Sequence, residues 1–74
     1  MPPLPHISGR QAVRAFEKSG FEVRHQRGSH IILAKAGFAA TLAVPNHREL
    51  KPGTLRALIR ASGLTFDQFV ALLS

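Results

Sequence analysis

Apolar and polar residues change phase repeatedly along this chain, and each phase marks an element. From Ser8 to Gly20, Ala12, Val13 and Phe16 fall on one helical stripe, while Arg10, Arg14 and Lys18 recur every four residues on another face. Ser8 and Gln11 have the spacing of a capping box, Ile7 can staple onto Ala12, and Gly20 closes the helix. The period then drops to two. Phe21 and Val23 alternate with Glu22, Arg24 and Gln26, so Phe21 and Val23 are expected to face the core. The same alternation puts His25 toward the helix-covered side near a strand end, as a structural or rim residue. Arg27-Gly28-Ser29-His30 reads as a tight turn, because Gly28 takes positive φ at little cost, and it delivers His30 onto a second strand through Ile31, Ile32 and Leu33. In that strand Ser29, Ile31 and Leu33 share one face and His30, Ile32 and Ala34 the other. Both faces are apolar, so alternation leaves the direction of His30 open.

Ala36-Gly37 marks a second turn, and Phe38 to Val44 reads as a third strand ending at Pro45. The polar loop Pro45-Asn46-His47-Arg48-Glu49-Leu50 leads into a helix that begins near Lys51-Pro52-Gly53-Thr54, with Pro52 in its first turn, and runs through Leu55, Leu58 and Ile59 to Gly63. Thr65 and Gln68 repeat the capping-box spacing and open a short last helix, whose Phe66, Phe69, Val70, Leu72 and Leu73 are expected to cap the core or pair subunits. Residues 1 to 7 are a proline-rich extended lead-in with His6 in solvent. This order predicts an α+β fold, a three-stranded antiparallel meander with the helices on one face. No repeat or linker interrupts it, so residues 1–74 are expected to form one domain.

A chain of 74 residues has a core that nets only a few kcal/mol, on the order of 3 to 5, and room for one site. The absence of cysteine rules out disulfides and thiolate metal sites and fits a reducing compartment. Met1-Pro2-Pro3-Leu4-Pro5 lacks a charged n-region and a long apolar run, and no segment approaches the ~18 apolar residues of a membrane helix. A cytoplasmic protein with no membrane partner is expected. Ten Lys and Arg against four Asp and Glu give a formal charge of +6, with a pI near 11.6. Because these cations are spread along the fold, a polyanion is the natural partner.

The residue inventory narrows the chemistry. The four histidines are scattered without metal-ligand spacing, and there is neither a G-x-x-x-x-G-K-[ST] loop nor a G-x-S-x-G elbow. Four carboxylates are too few for most two-metal phosphodiester chemistry, so neither a metal nor a small-molecule cofactor is expected. Histidine, hydroxyl and guanidinium remain. They suit metal-independent RNA cleavage, in which a base removes the 2′-OH proton, the oxygen attacks its own phosphate, and Arg or Lys stabilises the developing charge. His30 is the first candidate, with Arg27 and Ser29 beside it, and His47 in the polar loop is a second candidate proton carrier, the leaving 5′ oxygen being protonated by it or by water.

Several stretches together resemble a known family: Gly28-Ser29-His30 in a strand turn, Val44-Pro45 followed by His47, Glu49-Leu50-Lys51-Pro52-Gly53-Thr54-Leu55, and Ala61-Ser62-Gly63-Leu64. In that order and spacing they look like the HicA toxins of type II toxin-antitoxin systems. The resemblance implies a double-stranded-RNA-binding-domain-like fold, ribosome-independent mRNA cleavage, and inhibition by a HicB antitoxin that covers the active face. It also implies that His30 is catalytic, with Gly28 and Ser29 setting its turn. Arg10, Arg14, Lys18, Arg24, Arg27 and Lys51 are then the expected RNA-binding cations. Lys35-Ala36-Gly37-Phe38-Ala39-Ala40 is shorter and more apolar than the hairpin this family often has, which marks it as a contact for the antitoxin or a second subunit. Two other readings fit the charge: a non-catalytic double-stranded-RNA-binding module, and a basic interaction domain that holds an acidic partner.

Overall fold

Ser8 opens the first helix by accepting the Gln11 N–H on its hydroxyl at 3.1 Å, while the Gln11 side chain accepts the Ser8 N–H at 2.9 Å. This capping box satisfies two donors that a helix start leaves unpaired. A computed structural model describes residues 4–73 of the chain. Its elements are α1 (Gly9–Lys18), β1 (Glu22–Arg27), β2 (His30–Ala34), β3 (Leu42–Pro45), α2 (Pro52–Ser62) and α3 (Phe66–Ala71). Met1, Pro2 and Pro3 of the expected lead-in, and Ser74, lie outside the described residues. Pro52 stands in the first turn of α2 and the left-handed Gly63 ends it, while Thr65 and Gln68 form the box that starts α3.

The strands form an antiparallel sheet in the order β1-β2-β3. The result is the expected α-β-β-β-α arrangement with a short third helix, the double-stranded-RNA-binding-domain-like α+β fold. Alternation along β2 and β3 turns Ile31, Leu33, Leu42 and Val44 toward the helices, where they join Phe16, Phe21, Leu55, Ile59 and Phe69 in one buried cluster. The Phe16 ring lies 5.0 Å from Phe69 and 6.2 Å from Phe21 between ring centroids, so a single α1 side chain ties the segment entering β1 to α3. Burial of each large side chain is worth about 1.5 to 3 kcal/mol, and this cluster is where the stability of the molecule is concentrated.

Three expectations need correction. Val23 lies on the helix side of the sheet, but β1 is an edge strand that α1 leaves partly uncovered, and Val23 is 45% exposed. The third strand starts at Leu42 and not at Phe38. Phe38 instead closes a turn by donating its N–H to the Lys35 carbonyl, and its ring packs edge-on to Phe21 with the Lys35 ammonium 4.7 Å above it. That stretch therefore folds back on the core, although Phe38 keeps 41% of its surface exposed. The third correction concerns His25. It pairs with Ile32, while Val23 pairs with Leu33, so Arg24 is an extra residue in a β-bulge. The bulge reverses the alternation and puts His25 on the face opposite to the expected one.

Candidate active site on the open face of the sheet

The face of the sheet turned away from the helices carries Glu22, Arg24, His25 and Arg27 from β1, His30, Ile32 and Ala34 from β2, and Ala43 and Pro45 from β3. Glu22, Arg24, His25, Arg27, His30 and Ala43 are exposed, and Ile32, Ala34 and Pro45 are half-buried. His30 is the first residue of β2, with Arg27 opposite it on one side and Pro45 on the other. The register thereby answers what alternation alone left open, because Ile31 and Leu33 are buried and His30 must point the other way.

The turn beneath His30 is braced from two directions. Gly28 has φ of 57° and Ser29 has no positive φ, the pattern of a type II′ hairpin turn with glycine at its first position. The Gln26 side-chain amide donates to the Gly28 carbonyl at 3.0 Å, and the Asn46 N–H donates to the Ser29 carbonyl at 2.6 Å. The exit of β3 is held in turn by α1, since the Gly9 N–H donates to the His47 carbonyl at 2.9 Å. A Cβ at position 9 would overlap the Pro45 carbonyl, so the close approach of helix and strand requires glycine there. One chain of backbone contacts thus links the α1 N-terminus, the β3 exit and the catalytic-candidate turn. Across the same loop, His6 Nδ1 lies 3.2 Å from a Glu49 carboxylate oxygen, both exposed.

The expected cations divide into separate groups. Arg24 and Arg27 share the His30 face. Arg24 sits 3.5 Å from Glu22, an exposed pair worth under about 1 kcal/mol, and among the described residues Arg27 forms no ion pair. Arg10 and Arg14 lie on the other side of β1, where they line a groove of about 310 Å³ with Val13, Glu17, Val23, Gln26 and Ile31. The edge strand is therefore flanked by arginines on both sides. Lys18 is turned to the far end of the molecule, where its ammonium donates to the Leu72 carbonyl at 3.1 Å. Lys51 is the exposed residue preceding α2. His47 is exposed on the loop past β3.

The residue that sequence reasoning misplaced is His25, and a signal for it exists in the sequence. An unbroken two-residue hairpin closed by Arg27 and His30 would pair Arg24 with Leu33 and Val23 with Ala34, so Ile31 and Leu33 could not share a face with Val23. Two apolar sets out of phase across a tight turn require one extra residue, and the bulge supplies it.

Among the described residues, no three His, Asp or Glu side chains gather where they could hold a metal ion. None of the described helices is long and apolar enough to cross a membrane. No curated protein matches the chain. The family model for the HicA toxin of bacterial toxin-antitoxin systems matches residues 9–64, from the first residue of α1 to the residue after Gly63. That span contains the braced turn, all of the sheet and α2, and the chain belongs to the HicA toxin family.

Proposed function

We propose that this HicA-family toxin is a metal-independent endoribonuclease acting on mRNA in the cytoplasm, with His30 as a catalytic residue. The observation that supports this reading is the setting of His30, an exposed imidazole at the start of β2, beside Arg27, on a sheet face that none of the described elements covers. An imidazole there can exchange a proton with a ribose 2′-OH while the Arg27 guanidinium offsets charge on the phosphate. The 2′ oxygen bonds to phosphorus as the bond from phosphorus to the 5′ oxygen breaks, which leaves a 2′,3′-cyclic phosphate and a 5′-OH. A second group must protonate the departing oxygen, and His47 and His25 are the two imidazoles whose backbones flank this end of the sheet. Arg24 and Arg27 would meet phosphates on the cleavage face, with Arg10 and Arg14 across the edge of β1.

A HicB-type antitoxin would silence the enzyme by occupying the open face, where charge complementarity to a chain of net charge +6 favours an acidic partner. The test is incubation with a long unstructured RNA in EDTA, beside a His30→Ala variant shown to be folded by circular dichroism. The wild type should cut and leave cyclic ends, and the variant should be slower by about 10²- to 10⁴-fold, the span of general acid–base catalysis. Binding by both proteins with cleavage by neither would favour the non-catalytic RNA-binding module.

A further inference from the structure

We infer that His25 is the second proton-transfer group of the cleavage reaction, paired with His30 across the open face. The inference rests on the ribonuclease reading above and adds to it a residue that only the bulge brings to the site. Past the bulge the pairing is regular: His25 opposes Ile32, Gln26 opposes Ile31 and Arg27 opposes His30. His25 and His30 are therefore diagonal neighbours on one face, with Arg27 beside His25 on the same strand and directly across from His30.

This spacing suits the chemistry. In-line transfer puts the attacking and leaving oxygens on opposite sides of phosphorus, so the group that takes a proton and the group that gives one must stand apart by the width of a phosphate. Directly opposed strand residues are too close for that, at about 4.5 to 5.5 Å, whereas diagonal positions at about 7 to 8 Å leave room for it. Arg27 then neighbours both imidazoles, where its guanidinium can meet the charge that develops on the nonbridging oxygens. One imidazole, neutral, takes the 2′-OH proton. The other, protonated, gives a proton to the 5′ oxygen as its bond to phosphorus breaks, so the pair exchanges charge states and needs no co-reactant.

His47 is the rival. Its backbone turns away from the sheet to meet the α1 N-terminus through the Gly9 N–H, and it stands on a loop, whereas His25 and His30 are both held in register within strands. The charged groups facing the pair are Glu22, Arg24 and Arg27 from β1. β2 and β3 contribute the uncharged Ile32, Ala34, Ala43 and Pro45 to that face, with His47 on the loop beyond.

The test is the pH dependence of RNA cleavage by the wild type, His25→Ala, His25→Gln, His30→Ala and His47→Ala, with a parallel substrate whose scissile 5′ oxygen is replaced by sulfur. Such a thiolate leaves without a proton. The wild type should show a bell-shaped profile, and each His25 variant should lose one limb of it and about 10²-fold or more in rate. The sulfur substrate should restore one of His25→Ala and His30→Ala to near the wild-type rate and leave the other slow. A His25→Ala enzyme that keeps the wild-type rate and both limbs, with the limb lost in His47→Ala, overturns the inference while leaving the ribonuclease reading intact. A wild type that cuts neither substrate overturns both.

Discussion

On the covered face of the sheet, Ile31, Leu33, Leu42 and Val44 are at most 8% exposed, while one residue along each strand the side chains stand in solvent or half in it. The same three strands supply both sets. The covered face is continuous with Phe16 and Phe69 and carries the burial that folds a small chain. The open face has two histidines, two arginines and a glutamate around Ile32, and contributes little to that core. Stability and chemistry are thus separated by the pleat of the sheet, and substitutions on the two faces should fail in different ways.

Phe16→Ala should show the largest effect. Truncating a fully buried Phe costs about 3 to 5 kcal/mol, comparable to the whole stability of a domain this size, so urea titration should find the variant largely unfolded. Activity would be lost with the fold. His30→Ala should show the opposite pattern, with its unfolding free energy changed by no more than an exposed site allows, about 0.5 kcal/mol, while cleavage falls as stated above. Loss of stability in His30→Ala would break the separation of the faces. Gly28→Ala sits between them. Nothing lies within 4 Å of an added Cβ, so its cost is the positive-φ backbone alone, roughly 1 to 3 kcal/mol. Denaturation should register that loss, and cleavage should fall further than it predicts because the turn that aims His30 is disturbed. The smallest effect belongs to the arginines. Arg27→Ala and Arg10→Ala should each lower the salt dependence of RNA binding by about one charge, with Arg27→Ala also slowing cleavage. An unchanged slope for Arg10→Ala would confine the RNA to the open face.

The parts of this molecule that local chemistry decides could be read from the sequence. Both capping boxes, Pro52 in the first turn of α2 and the Gly28 turn follow from residues within a few positions of one another. The order of elements followed from their periodicity. What escaped depends on partners distant in the chain. Phe38 has the pattern of a strand start, yet Phe21 and the surface over Gly63 draw it into a turn. Val23 has the pattern of a core residue, yet α1 covers the edge strand only in part. His30 was recognisable as a candidate from its turn, but its direction was fixed by the burial of Ile31 and Leu33. Strict alternation assumes an unbroken ladder and so puts His25 on the wrong face, and the phase conflict between Val23 and Leu33 is the clue that the ladder is broken.

Nuclear magnetic resonance mapping with a short 2′-O-methyl RNA tests most directly whether the open face of the sheet is where RNA is held for cleavage. Such an RNA has no free 2′-OH, so it binds without being cut. Amide shifts concentrated at His25, Arg27, His30, Ile32 and Asn46, with α2 and α3 unmoved, are the expected result and would support that placement of the RNA. Shifts confined to the exposed side of α2, around Arg56 and Arg60, with the His30 strand unaffected, would contradict it.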